Sequence, residues 1–331
     1  MSDPPARAAP HAKASSAALP GRRVFWMGFA VTVAVLAVAP LVLPAFWRAL
    51  LTEILIWGLL GMSSDLLIGY TGMVSFGHSA FFGLGVYGAA AALLAFPPSL
   101  WLAVALGLAS AGIAALFVAY FATRLRDIYF AITTLVFSQI FYVIIFAWTA
   151  VTGGENGLTF QAPPLGILGF GGPFTPVTLH WFVLAVVVLA YLLCRRITQS
   201  PFGTVLKSIR ENEARTRAIG YPVERYKIVS VMLSGLFAGL SGALYALMNK
   251  FAAPDHVFWV VSGEAVIYNV MGGIGTLAGP ILGAGVFLFL REFLSRFFTT
   301  YYLIPVGIIF ILIIIFLPQG LLGFARRRLN E

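Results

Sequence analysis

The residue types that perform covalent chemistry are scarce in this chain. Its 331 residues include four histidines (His11, His78, His180 and His256), far apart, and a single cysteine, Cys194. One cysteine closes no intrachain disulfide. With no CxxC and no Cys/His cluster at ligand spacing, no metal site is expected. None of the four lysines (Lys13, Lys207, Lys227, Lys250) follows a glycine, and no G-x-x-x-x-G-K-[ST] loop is present. A nucleotide that drives this protein would therefore bind another chain. Gly239-Leu240-Ser241-Gly242 has the G-x-S-G form of a serine nucleophile. Such a serine needs a base within hydrogen-bond reach, and the downstream His256 lies in a polar stretch. Four matching residues in a Gly/Ser/Ala-rich segment arise easily by chance, so packing is the expected role. Three ionisable residues, His78, Asp65 and Glu264, fall inside or at the edge of apolar runs, where an ionisable group is a functional candidate by default. For His78 the expectation is a neutral imidazole bonded to a neighbouring helix. For Asp65 and Glu264 two roles stay open: lining an aqueous path, or pairing with a distant base.

The elements that position these residues follow from composition. Hydrophobic residues make up 60% of the chain and charged residues 10%, against roughly 45–50% and 25% in a soluble domain. A soluble enzyme and a nucleic-acid binder are excluded, despite a net charge of +9. A membrane span needs about 20 apolar residues. Candidates are 24–46, 52–69, 75–96, 100–122, 128–150, 180–197, 228–250, 276–297 and 300–317, with the Gly-rich stretch 260–274 either a tenth span or a half-helix. Regular barrel-type alternation is absent, so the spans are helical. Basic residues cluster in the N-terminal tail, at Arg124 and Arg126, in 195–227, and at Arg326, Arg327 and Arg328. Placing all four clusters in the cytoplasm gives a consistent ten-crossing map with both termini inside. The Gly/Pro-rich segment 151–178, without Lys or Arg, then falls outside. The long basic loop reads as structured: Pro201 can open a helix, Val205, Leu206 and Ile209 sit at helical spacing, and Gly220 before Tyr221-Pro222 stops it. A short amphipathic helix at the cytoplasmic surface is expected.

Glycine and small polar residues crowd one junction of two spans, in GYTGMVSFGHSAFFGLGVYGAA from Gly69. Such a sequence can unwind and present backbone amides to a water-lined cavity, or simply turn tightly and pack. Gly235-x-x-x-Gly239 and Gly275-x-x-x-Gly279-x-x-x-Gly283 are small-xxx-small patterns, read as close helix packing. The junction resembles the signature of LivM-type permeases, the membrane subunits of branched-chain amino-acid ABC importers. Thr152–Phe160 (TGGENGLTF) resembles that family's external segment and Ser200–Ile228 its cytoplasmic loop. Gly272–Ala284 (GGIGTLAGPILGA) resembles its C-terminal glycine-rich element, and Pro318-Gln319-Gly320-Leu321 its ending. The matches run in family order over roughly residues 50–325. In the importer loop pattern E-A-A-x-x-x-G, Glu213-Ala214-Arg215 departs at the third position, and Gly220 comes one residue late.

The resemblance implies an all-α polytopic membrane protein of about ten (eight to ten) transmembrane helices with the ABC importer permease fold. A disordered cytoplasmic tail (1–23), a permease domain (24–322, coupling loop 198–227) and a basic cytoplasmic C-terminus (323–331) are expected. It further implies that Pro201, Phe202, Gly203, Arg210, Glu211, Glu213, Ala214 and Gly220 contact an ATPase. Charge-assisted contacts from this loop to a soluble partner are physically compatible. Candidate translocation-path residues are Gly72, Ser75, Gly77, His78, Ser79, Asn156, Gly157, Gly272 and Gly273. The implied partners are a second homologous permease, two ABC ATPases that bind ATP and Mg, a periplasmic binding protein and the lipid bilayer of a bacterial inner membrane. This chain itself is expected to hold no cofactor and to catalyse no reaction. The implied function is import of Leu, Ile and Val. The alternatives are a urea-type permease of the same superfamily, an ion-coupled secondary carrier and an intramembrane protease using Ser241.

Overall fold

A proline writes the first boundary. In the computed structural model, α1 (Pro20–Val42) stops before Pro44, which precedes α2 (Ala45–Ile68) in an extended conformation. Proline has no N–H to continue the ladder, and Arg48 Nη2 caps the exposed end by donating to the Leu43 carbonyl at 3.1 Å. The spans expected at 24–46 and 52–69 are therefore corrected: the first ends earlier, and the second begins before Arg48. The structure describes residues 20–161, 165–167, 170–172, 175–298, 301, 303–317 and 320–323. Most of the expected N-terminal tail, Pro318-Gln319 and the basic C-terminal residues 326–328 lie outside the described residues.

Helices α3 (His78–Ala95), α4 (Leu100–Ala122), α5 (Asp127–Ala147) and the single turn α6 (Thr149–Thr152) follow. A two-residue strand β1 (Leu158–Thr159) and a hairpin of β2 (Leu165–Ile167) and β3 (Phe170–Gly172) come next. Then come α7 (Pro176–Thr198), α8 (Pro201–Glu211), α9 (Glu213–Ala218), α10 (Val223–Asn249), strand β4 (Phe251–Ala252), α11 (Trp259–Gly272), α12 (Gly279–Ser295) and α13 (Leu303–Phe316). Local chemistry explains the starts. Ser99 caps α4, Thr175 and Thr178 form a capping box at α7 with Pro176 in its first turn, and Ser200 caps α8 ahead of Pro201. Among the described residues, seven helical stretches are long and apolar enough to cross a membrane: α2, α3, α4, α5, α7, α10 and the one α13 opens. The stretch of α1 from Trp26 to Val42 is a shorter apolar helix, and the chain is an all-α multi-pass membrane protein.

The core sits where α2, α3, α4 and α10 meet. From Leu55 to Ile68 every residue of α2 is buried, as fits a helix apolar on all sides. The α3–α4–α10 contact is set by small residues. A Cβ on Gly85 would strike the backbone of Gly239, one on Gly239 would strike Ala111, and one on Gly235 would strike Ala115. The first small-xxx-small pattern is a packing face, as read from the sequence. Peripheral α1 joins α7 through His180 Nε2, which donates to the Leu36 carbonyl at 3.0 Å.

The stretch 260–274 turns out to be a half-length helix. The 14 residues of α11 rise about 21 Å, short of a hydrocarbon core of about 30 Å. The chain leaves α10, pairs β4 with β1 (Leu158↔Ala252, Thr159↔Phe251), and makes a 3-10 turn, Pro254–Val257. That turn reaches deep into the bundle: the Val257 carbonyl accepts from Ser138 Oγ at 3.1 Å, and Val257 abuts Gly83. α11 starts from there and runs towards the end of α2. Non-helical backbone at membrane depth is tolerated when buried in protein, and Ala252, Pro254 and Val257 are buried.

The tight approach predicts a mutational asymmetry. Gly239→Leu should destabilise the protein by about 1–3 kcal/mol or more through overpacking, read as a lower melting temperature in detergent. Gly28→Ala, at a position with nothing within 4 Å of the added carbon, should leave it unchanged. Equal melting of both variants would refute the close contact.

Candidate functional site

Two helices, not one, form the polar segment between α7 and α10, which corrects the single amphipathic helix expected there. Asn212 is extended (φ −161°, ψ 99°), and its Oδ1 accepts from the Arg215 N–H at 2.9 Å, ending α8 and capping α9. Val205, Leu206 and Ile209 turn inward and are buried, Gly203 packs against the backbone of Thr198, and Phe202 stacks on Tyr226 with centroids 5.5 Å apart. Glu213 also points inward. Its carboxylate pairs with Lys227 Nζ at 2.6 Å, Arg217 Nη2 at 3.0 Å and Arg126 Nε at 3.3 Å. Lys227 is only 4% exposed, so this cluster fastens α9 to α10 and to the α4–α5 hinge. The outward face keeps Pro201, Glu211, Ala214, Arg215 and Gly220, all exposed.

Arg210 carries the same segment to a second anchor. Its Nη1 donates to the carbonyl of Gly69, the residue that ends α2, and Gly72 lies against its side chain. One turn back, Asp65 is wholly buried. Its Oδ1 accepts from the Gly275 N–H at 2.6 Å and its Oδ2 from the Leu277 N–H at 2.9 Å. Tyr70 adds a bond from its hydroxyl to the Gly275 carbonyl at 3.2 Å. Gly275 has φ +78°, a conformation that costs glycine little. Asp65 thus takes neither role left open by the sequence: it caps the backbone of the α11–α12 turn. The two glycine-rich elements meet here, near the end of the bundle that carries the basic loop.

The junction between α2 and α3 does unwind, but the amides of Phe76, Gly77 and Ser79 are taken up by hydroxyls. Phe76 N–H donates to Thr134 Oγ1 (3.1 Å), Gly77 N–H to Ser75 Oγ (3.2 Å) and Ser79 N–H to Ser262 Oγ (2.8 Å). A chain of hydroxyls continues from Ser262 to Ser79 (3.0 Å), from Ser79 to Ser138 (2.6 Å) and on to the Val257 carbonyl. His78 Nε2 donates to Ser234 Oγ at 2.8 Å, and that hydroxyl donates to the Ser63 carbonyl at 2.6 Å. The other ring nitrogen, Nδ1, lies 3.4 Å from the Ser75 carbonyl, and through Ser234 the imidazole is bonded to a neighbouring helix as expected. These polar residues are buried, so they bind α2, α3, α5, α10 and α11 to one another.

The candidate path residues therefore fall in three places. Ser75, Gly77, His78 and Ser79 lie in the buried hydroxyl network. Gly72, Gly272 and Gly273 lie at the basic end, Gly272 packed against Gly279. Asn156 and Gly157 lie at the opposite end, beside β1, where Gly157 has φ +65° and sits against Ala252 and Phe251. Glu264 accepts from the Tyr268 hydroxyl at 3.0 Å, near the Arg291–Glu53 ion pair (3.3 Å). Ser241 donates to the Ile56 carbonyl at 2.7 Å, and His256 Nδ1 accepts from the Ala253 N–H at 3.0 Å. Both groups of the nucleophile reading are thus engaged elsewhere. Among the described residues no group of three or more His, Cys, Asp or Glu is placed to hold a metal. The sequence reading missed Thr134, Ser138, Ser234 and Ser262. Their signal was hydroxyls at helical spacing within apolar runs, as with Thr134 and Ser138.

Residues 47–317 match the family described as the permease component of the branched-chain amino acid transport system. The chain is similar to the high-affinity branched-chain amino acid transport system permease protein LivM of Escherichia coli K12. The two are 28% identical over 336 residues, covering 95% of this chain and 79% of that protein. It is also similar to a probable LivM permease of Methanocaldococcus jannaschii (25% over 219 residues, 60% of this chain and 61% of that one). A more distant similarity is to the ribose import permease protein RbsC of Escherichia coli K12 (27% over 172 residues, 50% and 52%).

The Asp65 cap gives a local prediction. Hydrogen bonds to a charged acceptor are worth about 1.5–3 kcal/mol each, and Asp65→Asn removes the charge and one acceptor. Backbone amides of 273–278 should then exchange with deuterium at least tenfold faster, a change of about 1.4 kcal/mol, while those of α4 stay protected. Unchanged exchange at 273–278 would show that the carboxylate does not hold the turn.

Proposed function

Because the chain belongs to the family of branched-chain amino acid transport permeases, we propose that it is the membrane subunit of an ATP-driven importer for leucine, isoleucine and valine. It works beside a second homologous permease in a bacterial inner membrane, with both termini cytoplasmic. Two ATPase subunits bind ATP and Mg on the inner face, and a periplasmic binding protein delivers the substrate on the outer face. The chain itself performs no covalent chemistry.

The observation that carries this reading is the anchored α8–α9 segment. It offers an outward face of Glu211, Ala214 and Arg215 while its inward residues grip the bundle at three elements. Arg210 holds the end of α2. Glu213 holds Arg126 before α5 and Lys227 on α10. A push from a closing ATPase pair on such a segment is delivered to α2, α5 and α10 together, rather than dissipated in a loose loop. Substrate affinity is set mainly by the binding protein, so exchanging that protein should change the substrate spectrum.

The first test is purification of the chain from native membranes in mild detergent, followed by identification of its companions. ATPases and a second permease should accompany it. Uptake of labelled leucine should be competed by valine and isoleucine and not by urea; competition by urea instead would favour the urea-type reading, and a chain recovered alone would favour an ion-coupled carrier. Arg215→Glu, on the exposed face and in the first turn of α9, where an acid suits the helix dipole, should leave melting unchanged. It should lower uptake roughly tenfold or more, the loss of one charge-assisted contact. Full uptake by this variant would remove Arg215 from the ATPase contact.

A further inference from the structure

The path residues expected from the sequence are buried in the hydroxyl network or stand at the two ends of the bundle. Another polar side chain, Gln139, lies between those ends. It sits ~18 Å along α5 from Asp127 at about 1.5 Å per residue, near the middle of a hydrocarbon core of about 30 Å. It is partly exposed, and its amide makes no hydrogen bond among the described residues. Hydrocarbon offers an amide no partner, so this flank of α5 meets water or another polar group. Its neighbour is the half-length helix α11. Ser138 and Ser262 both bond to Ser79, so the residues that follow them, Gln139 and Gly263, stand at one level. Tyr142, one turn beyond Gln139, meets Phe258 at the start of α11 with ring centroids 5.1 Å apart, which turns the Gln139 flank towards α11. A carbon added to Gly263 would find nothing within 4 Å. Open space therefore lies beside the amide.

The other flank of α11 is also polar. Glu264, about 100° round the helix from Gly263, is partly exposed and bonded to Tyr268. Beside it, Arg291 of α12 pairs with Glu53 of α2 at 3.3 Å, and these side chains are 32% and 24% exposed. Glu53 lies ~12 Å along α2 from Ala45 and Arg291 ~18 Å along α12 from Gly279, so the pair sits well below the membrane surface. Ionisable groups at such depth face protein or a water-filled cavity. Between the two polar flanks the front of α11 is an apolar strip of Gly263, Val266, Ile267 and Val270, all partly exposed. Lipid suits the strip and not the flanks. A tightly packed helix suits the strip and would have to close the space at Gly263. An aqueous path suits the strip, both flanks and the open space.

We propose that the front of α11, between α5 and α12, is this chain's wall of the translocation path. The wall matches a zwitterion with an aliphatic side chain. Glu264 receives the ammonium, since a carboxylate has room for donors beyond Tyr268. The Gln139 amide donates to the carboxylate, and the side chain passes over Gly263 and Ile267. An amide brings no charge, so the carboxylate is oriented without being trapped. The substrate assignment rests on the branched-chain amino acid reading; the wet wall does not.

The test uses the assembled transporter in ruptured membrane vesicles, where both faces are reachable, and a permanently charged thiol reagent that does not enter lipid. The native Cys194 is buried and sets the background. Gln139→Cys and Gly263→Cys should react roughly tenfold faster or more than Ile140→Cys, on the exposed apolar face of α5. Gly263→Leu, which has room for its side chain, should keep its melting temperature and its companion subunits. It should lower leucine uptake roughly tenfold or more by narrowing the path. Should Gln139→Cys fail to assemble, Gly263→Cys makes the labelling comparison alone. Labelling no faster than that of Ile140→Cys would assign the face to lipid, and a disulfide from Gln139→Cys to a companion subunit would assign it to a subunit contact. Either result, or full uptake by Gly263→Leu, overturns the proposal. Fast labelling in a transporter that carries no leucine would uphold the wall and overturn the substrate reading instead.

Discussion

A backbone N–H that leaves its helix inside hydrocarbon must find its partner within the protein, because no water is there to take it. Among the described residues, three departures from helical geometry are held by bonds to a neighbouring element inside the bundle: between α2 and α3, between α10 and α11, and between α11 and α12. Each departure is matched by polar groups from a neighbouring element. Thr134 and Ser262 receive the amides of Phe76 and Ser79, Ser138 donates to Val257, and Asp65 receives Gly275 and Leu277. The consequence is architectural. A partner on another helix fixes where that helix stands, so the same bonds that make the irregular segments tolerable also lock α2, α3, α5 and α11 into one arrangement.

Glycine solves a different part of the problem. At the α3–α4–α10 contact the glycines are regular helix residues, and their value is the missing side chain, which lets backbones touch. At Gly275 the value is the backbone angle. The two small-xxx-small patterns in the sequence look alike and do different things. The first remains one helical face. The second begins in a turn, at Gly275, and becomes a helix face only from Gly279 onwards, where Gly283 meets the backbone of Tyr268.

Much of the architecture was legible because it depends on local signals. Apolar runs place most helices within a few positions and Pro201 places the start of α8, whereas Pro44, which parts α1 from α2, lay inside the span expected at 24–46. The amphipathic spacing of Val205, Leu206 and Ile209 located α8. The break at Asn212 escaped because a capping asparagine inside a polar stretch looks like any solvated residue. Asp65 escaped for a stronger reason. Its partners lie 210 and 212 residues away, and they are main-chain groups, which no residue type advertises. Glu213 was visible as a charge. Its inward direction was not, since that depends on Lys227 being carried into a nearly closed position by α10.

Those two acids, one in the membrane and one outside it, explain why the polar segment is stiff. Breaking a buried ion pair leaves a stranded charge, which costs about 3–5 kcal/mol. Lys227 at 4% exposure would be such a charge without Glu213, so α9 cannot lift from α10 cheaply. At the other end of the segment, Arg210 is bonded to Gly69, four residues from Asp65, and Asp65 is bonded in turn to the α11–α12 turn. Displacing α8 therefore strains a guanidinium–carbonyl bond before it strains the apolar contacts of Leu206 and Ile209. A short, directional bond fails over a fraction of an ångström, whereas buried apolar area changes gradually with separation. Movement of α8 and α9 must accordingly proceed with α2 and α10 as one body, and the compliance of the molecule lies in the elements these bonds do not reach.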